Sequence, residues 1–248
     1  MPRPAATIAL IRNGPEGLET WMMRRVVGMA FASGAVVFPG GRVDDADADE
    51  AIAWHGNTPE ALANRLGIEV SRARALVTAA LRELFEEAGV LLTTPRPLGD
   101  VEPERRALET RNLRLSDWLA EKAYALDVSG IQPWARWVTP PTEPRRFDTW
   151  FFVVSMPSGV DARSASTEAS SAGWIGVREA LDLAERRELL VLPPTMVMLR
   201  GLLAAETVDG VLAAASARSL EPVHPDVRHN EDGTILVRGG GEEVLVRP

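Results

Sequence analysis

The sequence predicts an α/β protein. Two β-branched and apolar runs near the N-terminus bracket a turn signal. A long amphipathic helical pattern ends at Gly89. Two later strand-like runs flank a proline-rich loop and lead into further helical segments.

Residues 5–11 read as the first strand and residues 18–27 as the second. The turn between them is Asn13-Gly14-Pro15-Glu16-Gly17, so the chain opens with a hairpin. Arg24 and Arg25 close the second strand, placed either to meet a substrate phosphate or to sit as solvated strand-end charges. Residues 31–38 are small and apolar and lead into Pro39-Gly40-Gly41, where glycine permits close backbone approach. An acidic run follows: Asp44, Asp45, Asp47, Asp49 and Glu50. It lacks the spacing of a calcium loop and reads as a solvated, N-capping segment. Residues 51–54 suit a short helix. Thr58 as N-cap and Pro59 at the first helical position start another, which runs to about Leu66 and stops at Gly67.

Ser71 is the expected cap of the central helix, residues 72–88. At about 3.6 residues per turn, Val77, Leu81, Leu84 and Ala88 share one face, and Glu83, Glu86 and Glu87 gather on roughly the other. Gly89 suits a left-handed helix stop. The glutamates thus crowd the negative end of the helix dipole and repel one another. Arg82 relieves part of this through Glu86, four residues on; a hard divalent cation would relieve the rest. A solvated charged face is the plainer reading of such a cluster.

Residues 102–108 and 116–123 are expected helices, the second capped by Ser116. Residues 134–138 and 149–156 read as strands joined by a proline-rich loop that carries Arg145 and Arg146. Those arginines either bind a substrate phosphate or anchor the loop by pairing with Asp148 or a neighbour. A polar loop, 158–166, precedes a strand around Trp174, read as a core residue. A helix then begins near Val177. Residues 195–205 and 207–217 follow as helices. The tail, 222–248, reads as strands turning at 231–234 and at 239–241. His224 and His229 lack metal-ligand spacing and read as structural or solvated.

Composition narrows the function classes. The chain has 248 residues, 46% hydrophobic and 25% charged, enough for one elaborated domain or two small ones. A net charge of -8 argues against nonspecific nucleic-acid binding, and an anionic substrate would need local positive charge or metal. With no cysteine, disulfides, thiolate metal sites and cysteine nucleophiles are excluded, and a cytoplasmic location is expected. No signal peptide, membrane-spanning run or C-terminal peroxisomal tripeptide is seen. An exposed apolar patch on the insertion or the C-terminal helices would favour a homodimer.

Two stretches, Phe38-Pro39-Gly40-Gly41-Arg42-Val43-Asp44 and Arg82-Glu83-Leu84-Phe85-Glu86-Glu87-Ala88-Gly89-Val90, together resemble the signature of the Nudix hydrolase family. The second is matched at every fixed position; the first only at its glycine end. The gap from Gly41 to Arg82 is far longer than usual, and Arg74 stands where the family has its first glutamate. A long insertion here, with Trp137-Val138-Thr139-Pro140-Pro141 and the Arg145-Arg146-Phe147-Asp148-Thr149 string, is similar to the branch that includes the peroxisomal coenzyme A diphosphatase.

The resemblance implies an α/β/α sandwich around a mixed, curved sheet, with a helical insertion before the catalytic helix. It covers roughly residues 5–205 of a single domain, 1–248, with the insertion at about 44–70 and an extension at about 206–248. It further implies hydrolysis of a small-molecule diphosphate with Mg2+ or Mn2+, and Glu83, Glu86, Glu87 and a carbonyl at Gly40 or Gly41 as metal ligands. Arg82 would orient a ligand, Glu83 or Glu168 would act as base, and Arg25, Arg145 and Arg146 would hold substrate. Glu168 could equally be a further ligand or a surface acid. Coenzyme A or acyl-coenzyme A leads as substrate. The alternatives are a nucleotide sugar, a dinucleotide, or a ligand-sensing domain without turnover.

Overall fold

The computed structural model describes residues 1–26, 34–165 and 169–246. In chain order the elements are β1 (Arg3–Gly14), β2 (Gly17–Arg25), β3 (Val36–Val37), β4 (Gly40–Arg42), a 3-10 turn (Asp45–Ala48), β5 (Trp54–His55), α1 (Pro59–Leu66) and α2 (Val70–Ala88). Then come β6 (Thr93–Thr94), α3 (Glu102–Glu109), α4 (Leu115–Glu121), β7 (Ala125–Asp127), β8 (Gln132–Val138), β9 (Phe147–Ser155) and β10 (Ala169–Gly176). The chain finishes with α5 (Val177–Glu185), α6 (Pro193–Ala205), α7 (Val208–Ala217), β11 (Pro222–Val223), β12 (Asp226–His229), β13 (Ile235–Gly239) and β14 (Glu242–Val246).

Among the described residues the main sheet has eight strands, in the order β10-β2-β1-β9-β8-β11, with β3 beside β2 and β4 beside β1. It is mixed: β1 runs parallel to β9 and β11 parallel to β8, while the other pairings are antiparallel. The two-residue period of a strand sorts the core into two layers. Ile8 and Leu10 of β1 and Trp150, Phe152 and Val154 of β9 pack with α2. Ala9 and Ile11, with Phe151 and Val153, pack with α5, α6 and α7 on the other face. Both faces of the central strands are therefore buried, giving the expected α/β/α arrangement.

Several sequence expectations hold in detail. Thr58 caps α1, accepting from the Ala61 N–H at 3.2 Å, and Gly67 ends it in the left-handed region at φ 66°. Gly89 ends α2 the same way, at φ 68°. The tail forms the separate antiparallel sheet β12-β13-β14. Others are corrected. The central helix begins at Val70, and its N-cap is Glu69, which makes no side-chain cap bond; Ser71 lies inside the first turn. The cap of α4 is Arg114, with Ser116 buried within the helix. Residues 51–54 form no helix; Trp54 instead joins His55 in β5, paired parallel to β7. Tertiary pairing overrides a short local helical preference there. Of the apolar stretch 31–38, residues 31–33 lie outside the described residues.

Candidate active site

The last turns of α2 meet the glycine turn at β4. Antiparallel pairing of β4 with β1 sets Gly40 opposite Thr7 and Gly41 opposite Ala6. The Gly40 N–H donates to Oε2 of Glu87 at 2.8 Å across 47 residues of chain. Gly40 is required by backbone crowding, and a side chain at Gly41 would displace the end of Glu83. A Cβ on Gly40 would lie 2.6 Å from the Ala6 carbonyl oxygen, and one on Gly41 would lie 2.3 Å from Oε1 of Glu83.

Arg82 is the hub of the acidic face. Its guanidinium donates to Oδ1 and Oδ2 of Asp47 at 2.9 and 3.1 Å, and to Oε1 of Glu83 at 2.8 Å. It also donates to Oε1 of Glu86 at 3.3 Å and to the Arg42 carbonyl at 3.0 Å. The Glu86 contact is the pair expected from sequence. Asp47 is the residue that sequence reasoning missed. It was read as part of a solvated acidic run, yet it is buried and takes two of Arg82's hydrogen bonds. The available signal was its place in a capping box: the Asp44 N–H donates to Oδ2 of Asp47 at 2.8 Å, which closes the start of the 3-10 turn.

Burial pushes the Glu83 carboxyl up to about 7, against the opposing pull of Arg82. Burial likewise raises Glu86, again opposed by Arg82. One guanidinium does not neutralise Asp47, Glu83 and Glu86 together, so the acidic face is short of positive charge. Behind it, buried Arg105 donates to the Glu86 carbonyl at 2.6 Å and pairs with Glu102 and Glu109. It thereby places a cation on the last carbonyls of α2, where the helix dipole favours one.

Glu83 and Glu87 open onto a cavity of about 610 Å³. Its walls include Thr7, Arg25, Trp137, Phe151 and the start of α6 at Leu192-Pro193-Pro194-Thr195, together with residues of β12 and β13. Arg25 is thus among the residues that line the cavity. Arg145 and Arg146 do not line this cavity; with Arg3 and Arg42 they line an adjoining groove that shares Arg42 and Phe147 with it. Arg146 also donates to the Thr139 carbonyl at 3.1 Å, so it anchors its loop as well. Asp148, the partner considered for these two, is held instead by Arg136, at 2.8 Å to each oxygen, and by Arg72 at 2.6 Å. Trp174 is half-buried, edge-on to Trp21, with Arg12 over its ring at 4.1 Å. Glu168 lies outside the described residues.

Residues 60–202 match the family model described as the NUDT19 Nudix domain. The chain belongs to the Nudix hydrolase family. It is 22% identical to the acyl-coenzyme A diphosphatase NUDT19 of Xenopus laevis, over 93% of this chain and 72% of that protein. The human protein of the same name is 26% identical over 98% of this chain and 77% of its own length. Among solved structures, a Nudix hydrolase from Alicyclobacillus acidocaldarius superposes with a TM-score of 0.74 at 31% identity, covering 88% of this chain and 99% of that one. The chain is thus a Nudix diphosphate hydrolase for a small-molecule substrate. Nudix hydrolases generally need divalent metal ions. Among the described residues no helix is long and apolar enough to cross a membrane.

The residue that departs from the Nudix signature has a structural role of its own. Arg74, at the place of the first glutamate, donates to the Ile52 carbonyl at 2.8 Å and lies over the Trp54 ring at 5.0 Å. It holds the segment after the 3-10 turn against α2 rather than facing the acidic cluster.

A divalent cation suits the donor set. Among the described residues no three acidic or histidine side chains stand as a ready ion cluster. The Glu83 and Glu86 oxygens are engaged by Arg82, and Glu87 by the Gly40 amide. Yet the donors are largely desolvated carboxylates short of positive charge, Glu87 buried and Glu83 and Glu86 partly so, and the missing Cβ of Gly41 keeps space open beside Glu83.

Proposed function

We propose that this chain hydrolyses the diphosphate linkage of coenzyme A or an acyl-coenzyme A, using Mg2+ or Mn2+ held by Glu83, Glu86, Glu87 and the carbonyl of Gly41. The observation that carries the reading is the convergence of Glu83 and Glu87 with the Gly40-Gly41 turn on one cavity. When bound, the ions neutralise phosphate oxygens and lower the pKa of the attacking water. Arg82, anchored by Asp47 and the Arg42 carbonyl, orients Glu83 and Glu86 and limits their mutual repulsion. Glu83, whose carboxyl is pushed up to about 7, and Glu168 are the two candidates for the base that takes the water's proton.

Arg25 faces the cavity and is assigned to a phosphate of the substrate. Arg145 and Arg146, with Arg3 and Arg42, make the adjoining groove cationic in a chain of net charge -8. Such a groove suits a phosphate remote from the cleaved linkage, as coenzyme A carries on its ribose. The names of the NUDT19 relatives support the same substrate. We read residues 1–248 as one domain, with 44–70 inserted and 206–248 appended. The cysteine-free composition fits the reducing cytoplasm as its compartment.

The test is a turnover assay with Mg2+ and with Mn2+ against coenzyme A, acyl-coenzyme A, NADH, ADP-ribose and dinucleoside polyphosphates, with products identified by mass. Metal-dependent release of a phosphopantetheine and an adenosine bisphosphate, abolished in folded Glu86→Gln and Glu87→Gln proteins, is the expected result. Cleavage of another member alone would discard the substrate. Near-wild-type turnover in either variant would discard the metal assignment.

A further inference from the structure

We propose that the C-terminal sheet, β12-β13-β14, is the wall that receives the apolar chain of an acyl-bearing diphosphate substrate. This rests on the proposed function and deepens it: it names the residues that read the acyl group. They lie beyond residue 202, where the match to the family model ends.

The sheet is amphipathic by register. Val227 pairs with Val237 and His229 with Ile235, so strand periodicity sets Val227, Ile235 and Val237 on one face, with His229 at its edge and Pro225 two residues before Val227. The intervening residues Asp226, Arg228 and Arg238, together with Leu236, take the other face. There Arg228 pairs with Asp226 at 3.1 Å and Arg238 pairs with Glu243. None of the three strands is hydrogen-bonded into the main sheet. The apolar face is turned to the cavity onto which Glu83 and Glu87 open: Pro225, Val227, Ile235 and Val237 all line it, as do Trp137 and Leu192.

The sheet is seated closely. A Cβ on Gly239 would lie 3.0 Å from the Trp137 ring, and one on Gly240 would lie 3.3 Å from that ring. His229 Nε2 meets Oε1 of Glu143 at 3.0 Å, tying β12 to the loop between β8 and β9. The aliphatic side chains that face the cavity are half-buried. An acyl chain, carried at the far end of the pantetheine arm, would exclude water from this apolar wall on reaching it, and a polar group there would gain nothing comparable. Each methylene so buried is worth about fourfold in affinity.

The experiment is isothermal titration of the whole protein with coenzyme A and a series of straight-chain acyl-coenzyme A esters. Turnover of the same series is measured in parallel. Expected is a tightening of about fourfold per methylene until the cavity is filled. In the Val227→Thr/Val237→Thr double variant, which keeps β-branched shape, the slope falls below about twofold per methylene. Ile235→Trp, which occupies the space, ends the series at shorter chains. Arg228→Gln, on the opposite face, leaves the slope as in wild type. A wild-type protein with no chain-length dependence overturns the inference, as does a slope that survives both cavity-side changes. A chain-length slope in binding without any hydrolysis would sink the proposed function and leave the wall standing.

Discussion

Replacing Arg82 by methionine keeps much of the side chain's length and removes its charge. Arg82 makes five hydrogen bonds to Asp47, Glu83, Glu86 and the Arg42 carbonyl. Arg82 and its three acidic partners are each at most 13% exposed, so water replaces little of what is lost. Removing one partner of a buried ion pair costs roughly 3–5 kcal/mol, because the other is left charged and unpaired. For a chain of this size that is a fall in melting temperature of about 6–20 °C. Two controls separate this mechanism from loss of packing. Millimolar Mg2+ should raise the melting temperature of Arg82→Met more than that of wild type, since the orphaned carboxylates then gain a cation. Lowering the pH should narrow the gap, because Glu83 and Glu86 are already held above the usual carboxylate range and take up protons first. A loss below about 1 kcal/mol, within the range of an exposed pair, would refute the hub, as would an identical Mg2+ response in the two proteins.

Three further outcomes follow from the same geometry. Gly41→Ala puts a Cβ 2.3 Å from Oε1 of Glu83, so the carboxylate must move; kcat should fall at least tenfold and up to about 100-fold with the fold retained, and unchanged kcat with normal circular dichroism would refute the crowding. Asp148 is depressed below its ordinary range: burial pushes it up, but Arg136 and Arg72 more than offset that. A depressed carboxyl contributes stability above its unfolded pKa and loses it as pH falls. Asp148→Asn should therefore cost about 1.5–3 kcal/mol at neutral pH and progressively less below about pH 4, read by urea denaturation across pH; a cost that does not change with pH would contradict the pairing. Exchanging Arg145 and Arg146 for glutamine should weaken KM for coenzyme A more than for its analogue lacking the ribose phosphate, and equal losses would remove the groove from substrate recognition.

The sequence by itself determined the parts governed by local rules. The cap and stop of α1, the glycine stop of α2, the opening hairpin and the turns of the tail all depend on residues within a few positions of one another. So does the grouping of Glu83, Glu86 and Glu87, which helical periodicity alone puts on one side of α2. Only the tertiary structure decided what those residues meet. Asp47 looks like any solvated acid in a run of acids until the 3-10 turn carries it 35 residues up the chain to Arg82. Asp148 follows two arginines closely in sequence yet is claimed by Arg136, on the neighbouring strand β8, and by Arg72 on α2. The tail's valines show a strand's alternation, but no local pattern says that their face closes the cavity of Glu83 and Glu87. The reason is physical: capping and periodicity act through neighbouring backbone groups, whereas a buried charge or an apolar face is settled by whichever distant partner the packed core brings within contact distance.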